Sequence, residues 1–166
     1  MVADNKIEAY HGTSAVNATR IRSEQRFIRS ETEHEWLGHG IYFFAYRADA
    51  VQWIQIKHFR GGQVVIAQLE YDDAELLDLD DPTQLNAVND ELKQLFDATQ
   101  DNITVKQYQD RWKRWCWACN TYRDIYPEIG IIVYTFQKGG PLEPSLFRTN
   151  QRQICVSKEH IITAIN

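Results

Sequence analysis

Two short stretches of the sequence combine residue types that can bind a small ligand. In Tyr-His-Gly-Thr-Ser, residues 10–14, His11 can donate or accept a hydrogen bond near neutral pH, and the glycine after it lets another group approach the backbone closely. The second stretch, Gly-His-Gly-Ile-Tyr-Phe-Phe at residues 38–44, sets Tyr42 in an aromatic strand behind two glycines. A planar amide needs a donor and an acceptor side by side, and the backbone of Gly12 can offer both. The stretches form one site only if they meet in space.

Alternating hydrophobicity predicts strands that would carry both stretches. Residues Gln63 to Tyr71 give the clearest of these patterns. The predicted strands are Lys6 to His11, Gly40 to Ala45, Gln63 to Tyr71, Ile131 to Phe136 and a last group that begins with Gln153 to Val156. The order of strands and helices along the chain is typical of a mixed α+β domain.

Four helices are predicted between these strands. The first covers Ala15 to Ser23 with Val16 and Ile21 inward, and the second covers Arg47 to Phe59. The third follows Asp81-Pro82, and the fourth begins at Thr104 with a capping box. A stripe on the fourth helix should be buried: Val105, Tyr108, Trp112, Trp115, Cys119 and Tyr122. We expect loops at residues 24–37 and 138–149.

Composition restricts the class of protein. The chain has 166 residues, of which 43% are hydrophobic and 12% aromatic, and this predicts a single globular domain over residues 1–166. Its apolar runs are too short to span a membrane, and its N-terminus does not resemble a secretory signal, so we expect a cytoplasmic protein with reduced cysteines. A net charge of −5 argues against general electrostatic binding of nucleic acid, although a local basic patch is compatible with it.

The two stretches, together with a late Gln-Arg-Gln-Ile-Cys-Val, resemble the ADP-ribosyltransferase superfamily, in the branch with a His-Tyr-Glu signature that includes poly(ADP-ribose) polymerases and diphtheria-toxin-like enzymes. The resemblance implies NAD as co-substrate. His11, Gly12 and Thr13 match the first motif, with His11 on a ribose hydroxyl and Gly12 on the nicotinamide carboxamide. Tyr42 and Trp53, eleven residues apart, would bracket the cationic nicotinamide ring by stacking and cation–π attraction.

The third element of this family is a glutamate on a late strand, and this chain departs from the pattern there. Gln153 matches the position and would join His11 and Tyr42 as a catalytic residue. Glutamine can orient a ribose hydroxyl, but it provides only a dipole for an oxocarbenium-like transition state. Gln151 and Glu159 are the alternatives in the neighbouring sequence. The substitution favours single transfer over polymer formation.

The resemblance implies a split antiparallel β-sandwich with flanking helices and an NAD cleft. It also implies a mono-ADP-ribosyltransferase that modifies a macromolecule and releases nicotinamide, without a metal. The acceptor is protein or nucleic acid, and an intracellular toxin with an antitoxin partner is one form of such an enzyme. The alternatives are an NAD glycohydrolase or an RNA 2′-phosphotransferase on the same scaffold, and a catalytically silent module that binds NAD, ADP-ribose or RNA.

Other motifs have an ordinary structural interpretation beside a functional one. Cys116 and Cys119 have zinc-like spacing but lack a second pair, which favours helix packing. The run Arg111 to Trp117 interleaves basic and aromatic residues as a nucleic-acid surface would, yet its spacing favours inward Trp112 and Trp115, and leaves Trp117 off the stripe. Four arginines after the His motif are candidates for phosphate contacts: Arg20, Arg22, Arg26 and Arg29.

Overall fold

The computed structural model describes residues 5–98, 110–137 and 150–166. Its strands are β1 (Asn5–Thr13), β2 (Ile41–Phe44), β3 (Gln63–Tyr71), β4 (Leu76–Asp78), β5 (Ile131–Gln137), β6 (Asn150–Val156) and β7 (Ile162–Ile165). Its helices are α1 (Ala15–Glu24), α2 (Arg47–Ile56), α3 (Pro82–Ala98) and α4 (Arg111–Ile125). The α+β class predicted from the sequence is confirmed. No helix in these ranges has both the length and the apolar character needed to cross a membrane.

The seven strands of the described residues join one sheet in the order β4-β5-β6-β2-β1-β3-β7. Every neighbouring pair is antiparallel except β4 and β5, which are parallel. The resemblance implied two antiparallel sheets. The described strands instead form one sheet, and one of its strand pairs is parallel. However, β1 and β2 are joined by the single pair Tyr10 and Phe44, whereas β1 pairs with β3 along its whole length. The sheet therefore opens beyond Tyr10, where β1 continues without backbone pairing to β2.

Two hydrophobic clusters pack on the sheet, because alternate residues of β5 and β6 point to opposite faces. Ile131 and Ile154 belong to the first cluster, which includes Ile21 of α1, whereas Ile132 and Cys155 belong to the second, which includes Leu92 of α3. Cys119 and Tyr122 of α4 also lie in the second cluster. The sheet thus has helices on both faces, and β6 contributes to both clusters.

Several helix details differ from the sequence predictions. Val16 is 79% exposed, so its predicted inward position is wrong, whereas Ile21 is buried as predicted. The helix α2 ends at Ile56, and His58 lies beyond it with a left-handed φ of 52°. The predicted capping box at Thr104 and the loop at 138–149 lie outside the described residues, as do the stripe positions Val105 and Tyr108. In the described residues α4 is capped by Asp110.

Candidate functional site

A cleft of about 420 Å³ lies where the sheet opens between β1 and β2. Five of the six predicted site residues line it: His11 and Gly12 from β1, Tyr42 from β2, Trp53 from α2 and Gln153 from β6. The other lining residues are Ser30, His34, Glu35, Trp36, Phe44 and Lys57. Thr13, the sixth, is 5% exposed and is not part of the lining. The strand order explains the convergence, because β2 lies between β1 and β6.

The imidazole of His11 has a defined tautomer. Its Nδ1 lies 2.8 Å from the carbonyl oxygen of Tyr42. A carbonyl can only accept, so Nδ1 carries the proton and Nε2 of the neutral ring is an acceptor. Burial lowers the pKa of His11, which favours this neutral form, and the hydrogen bond to the Tyr42 backbone opposes the shift. The edges of Phe27 and Phe43 contact the ring, with centroids 5.2 and 6.0 Å away.

Gly12 is required by helix packing. A Cβ at this position would lie 2.4 Å from the Ala50 carbonyl oxygen and 3.2 Å from Cγ1 of Ile54, both in α2. The sequence-based reasoning assigned the glycine to ligand approach, but the missing side chain points toward α2. Gly12 therefore lets α2 lie directly against β1, and this contact sets the distance of Trp53 from the strand.

Tyr42 uses its hydroxyl inside the protein. The hydroxyl donates to the Gly38 carbonyl at 2.6 Å and accepts from the Leu37 backbone N–H at 2.9 Å. Burial raises its pKa, and the nearby Cys155 and Glu35 add to the shift. Because the hydroxyl hydrogen is already donated inside the protein, Tyr42 contributes its ring to the cleft, and its two hydrogen bonds fix the segment that precedes β2.

Trp53 carries a cation on its ring. The ammonium of Lys57 lies 4.7 Å from the ring centroid, within the range of a cation–π contact. The ring of Phe44 lies 6.1 Å away at an angle of 52°. Lys57 also lines the cleft, so a positive charge is available there. Sequence reasoning missed Lys57, although a basic residue four positions after Trp53 is the available signal.

Gln153 is 7% exposed and pairs in register with Phe44 of β2 and Tyr134 of β5. Its amide nitrogen donates to the side-chain oxygen of Gln151 at 2.9 Å, which orients the two amides together. Glu159, the other alternative, forms an ion pair with Arg26 at 2.8 Å and is absent from the cleft lining. Of the three candidates, only Gln153 lines the cleft.

The loop between α1 and β2 contributes four lining residues that sequence reasoning did not single out: Ser30, His34, Glu35 and Trp36. The backbone of Ser30 forms two hydrogen bonds with Gly40, at 2.8 and 3.0 Å, which fasten the loop to the start of β2. The side chain of Glu35 accepts hydrogen bonds from the hydroxyls of Ser30 and Thr32. The loop has little hydrophobic periodicity, so its acidic and histidine content was the only signal.

Side chains of helix α4 form hydrogen bonds with the segment from Gly38 to Gly40, which precedes β2. The buried guanidinium of Arg123 donates to the His39 carbonyl at 2.8 Å and to the Cys155 carbonyl at 3.3 Å. Asn120 accepts from the His39 backbone N–H at 2.8 Å. The φ of Gly38 is +81°, which a side chain at that position would rarely adopt. These contacts fix the backbone just before Tyr42.

The cysteines are buried and free. Burial raises the pKa of all three thiols, that of Cys119 to about 12, so they are protonated packing groups. The described residues contain no group of three or more histidine, cysteine or acidic side chains that could hold a metal ion. The burial of both side chains supports the helix-packing interpretation of Cys116 and Cys119.

Trp112 and Trp115 of the basic and aromatic run on α4 pack against the second hydrophobic cluster, as their spacing predicted. Trp112 stacks on Trp36 with centroids 4.4 Å apart, and Trp115 lies edge-on to Trp112 at 5.5 Å. Arg111 lies over Trp112 at 4.3 Å. Trp117, which the stripe did not explain, packs against the second hydrophobic cluster. Through Trp36, the helix supports one wall of the cleft.

The early arginines contact other parts of the protein. Arg22 donates to Gln63 at 2.6 Å and to the carbonyl of Val64 at 3.1 Å. Arg29 donates to the carbonyl of Ser157 at 3.1 Å. With Arg26 bound to Glu159, these three stabilise the packing of α1 and the loop after it, and neither they nor Arg20 are in the cleft lining.

Comparison with known proteins gives little further information. An uncharacterized protein of Methanocaldococcus jannaschii is 33% identical over 57 residues, which cover 34% of this chain. The match spans only 27% of that protein. No protein-family model matches the chain, and no solved structure is significantly similar. The functional argument therefore depends on the cleft and its chemistry.

Proposed function

We propose that this protein is a mono-ADP-ribosyltransferase that uses NAD and releases nicotinamide. The observation that carries the proposal is the convergence of His11, Gly12, Tyr42, Trp53 and Gln153, which are distant in sequence, on one cleft. The resemblance to the His-Tyr-Glu branch rests on these same residues. We propose both the fold and the activity of that superfamily for this chain.

The chemistry of the cleft suits the nicotinamide riboside half of NAD. Nε2 of His11 can accept a hydrogen bond from a ribose hydroxyl, because Nδ1–H is bound to the Tyr42 carbonyl. Beyond Tyr10, β1 has a strand edge without β2, and such an edge offers the donors and acceptors that a carboxamide needs. The rings of Tyr42 and Trp53 can cover the faces of the pyridinium. Lys57 can bind a phosphate.

In the proposed reaction, the bond between C1′ of the ribose and the nicotinamide nitrogen breaks. Both electrons of the bond go to the nitrogen, so nicotinamide departs neutral and positive charge develops on the ribose. A nucleophilic atom of the acceptor then bonds to C1′ and loses its proton to solvent or a base. Gln153 orients the sugar through its amide, which Gln151 holds at 2.9 Å. A neutral amide at this position favours one transfer per acceptor site.

The acceptor in this proposal is a macromolecule, either protein or nucleic acid. The chain's net charge of −5 favours neither a general nucleic-acid surface nor unspecific phosphate binding. A toxin role with an antitoxin partner rests on the resemblance alone.

The test uses pure protein and NAD labelled in its adenylate, added to cell lysate. The lysate is afterwards divided into protease-treated and nuclease-treated halves. We expect label on one class of macromolecule, together with nicotinamide release. Trp53→Ala should abolish both, whereas Val16→Ala, at an exposed position remote from the cleft, should keep both. Intact NAD and no label in every sample would refute the transferase.

A second candidate is a catalytically silent module that binds NAD or ADP-ribose. The observation in its favour is Gln153, which supplies no charge where the family has a carboxylate. Calorimetry with NAD, followed by chromatography of the same sample, separates the candidates. Tight binding with no nicotinamide released supports the silent module, whereas nicotinamide release without any acceptor supports an NAD glycohydrolase.

A further inference from the structure

A carboxylate lies in the cleft although β6 provides none. Glu35 lines the same cleft as His11 and Gln153. It belongs to the loop between α1 and β2, whereas the family's glutamate would come from β6. A stabilising negative charge can therefore reach the ligand from a different wall.

The backbone around Glu35 is held on both sides. Its carbonyl accepts from the Gly38 N–H at 3.0 Å, and the backbone of Ser30 is bound to Gly40. The N–H of Leu37 donates to the Tyr42 hydroxyl at 2.9 Å. These contacts connect the loop to β2, so Glu35 keeps a fixed position relative to Tyr42.

One carboxylate oxygen of Glu35 accepts hydrogen bonds from neighbouring hydroxyls, and this positions the side chain. Oε1 accepts from the hydroxyls of Ser30 and Thr32, in the second case at 3.0 Å. Oε2 receives no hydrogen bond from the residues that the structure describes. The negative charge of Glu35 also acts on side chains of the neighbouring strands. Burial raises the pKa of Tyr42 and of Cys155, and the charge of Glu35 raises both further. A carboxylate with one oxygen fixed and the other available is suited to face a developing positive charge.

We propose that Glu35 is a catalytic residue that stabilises the positively charged ribose while the bond to nicotinamide breaks. This inference rests on the proposed function. The electrons of the broken bond go to the nicotinamide nitrogen, and the carboxylate forms no bond to the ribose. Gln153 then acts as a positioning residue, because its amide holds a hydroxyl while Glu35 supplies the charge.

A merely structural role for Glu35 predicts different behaviour. If the side chain only braced the loop, the glutamine variant would keep full activity, since its amide oxygen can still accept from Ser30 and Thr32. Glu35→Gln thus removes the charge and preserves the shape. Glu33→Gln is the matched control, because Glu33 lies two residues away, is 67% exposed and binds Lys113 at 2.5 Å outside the cleft.

The experiment measures nicotinamide release in the cell lysate that supplies the acceptor, and the Kd of the pure protein for NAD. The wild type is compared with four variants: Glu35→Gln, Glu33→Gln, Gln153→Glu and the double variant Glu35→Gln with Gln153→Glu. We expect Glu35→Gln to lower the release rate about 100-fold or more, with Kd changed less than about threefold. Glu33→Gln should match the wild type. The double variant should regain at least about tenfold in rate, because a carboxylate returns from β6.

The outcomes separate the two proposals. Wild-type release that persists in Glu35→Gln overturns the role of Glu35 and leaves the transferase intact. A lower rate in Glu35→Gln with no recovery in the double variant, combined with a weakened Kd, would show that the substitution disturbs NAD binding rather than the transition state, and it would also overturn the role of Glu35. NAD binding without release by the wild type overturns both proposals together.

Discussion

Replacing Gly12 with alanine tests how the cleft is built. The added Cβ would lie 2.4 Å from the Ala50 carbonyl oxygen, whereas real Cβ contacts essentially never fall below 3.0 Å. The nearest atom belongs to the backbone of α2 and cannot rotate away. The helix must therefore move from β1 by about 0.6 Å or more, against the packing of a close-packed interior.

The expected cost follows from this clash alone. The φ of Gly12 is not positive, so alanine adds no backbone strain there. Overpacking a buried position costs about 1–3 kcal/mol of the free energy of unfolding. For a chain of this size that corresponds to a fall of roughly 3–10 °C in Tm. Because α2 carries Trp53, its displacement should also weaken NAD binding.

Urea unfolding and thermal melting of Gly12→Ala measure the first effect, and calorimetry with NAD measures the second. Lys6→Ala is the control on the same strand, because Lys6 is exposed and exposed ion pairs such as the one it forms with Glu70 contribute little to stability. A Gly12→Ala protein whose unfolding free energy lies within about 0.5 kcal/mol of the wild type would refute the packing argument. Normal stability with lost NAD binding would instead support the ligand-approach reasoning.

Three further substitutions test the cleft and the helix behind it. Lys57→Ala should weaken NAD binding by about tenfold or more in calorimetry, whereas Lys57→Arg should keep most of it, since a charge-assisted hydrogen bond contributes about 1.5–3 kcal/mol. Burial lowers the pKa of His11, so its contribution to stability is present above about pH 6.5, the unfolded value, and is lost as pH falls through the folded pKa. Urea unfolding at pH 7.5 and 5.5 should show a larger loss in the wild type than in His11→Gln, and equal losses would contradict the assignment. Asp110→Ala removes the cap that accepts from Trp112 N at 2.8 Å and should cost about 0.5–2 kcal/mol, while a fully stable variant would exclude a capping role.

Regular elements were predictable where one side of the chain faces the core. The limits of β3 match the prediction at both ends, because its burial alternates residue by residue. The inward position predicted for Val16 was wrong for a geometric reason: Val16 and Ile21 are five positions apart, a spacing that puts them on different faces of a helix. The strand β4 was missed because it has three residues, and only Leu77 among them is buried.

The site was predictable only in part for a related reason. His11, Tyr42 and Gln153 lie on strands, where motif and periodicity agree, and they meet in the cleft. Glu35 lies in a loop with no periodic pattern, so its position depends on hydrogen bonds to residues that the sequence does not reveal as partners. The role of Gly12 required the location of α2, which is a property of tertiary packing.

The position of β6 in the sheet has a consequence for folding during synthesis. The strand spans Asn150–Val156 and follows both β2 and β5 along the chain, yet it lies between them in the sheet. Until it emerges from the ribosome, β2 and β5 each present an unpaired edge, and such edges promote association between chains. The cleft cannot form earlier, because one of its walls is β6. Chaperone dependence and slow, late acquisition of ligand binding are therefore expected of the nascent protein.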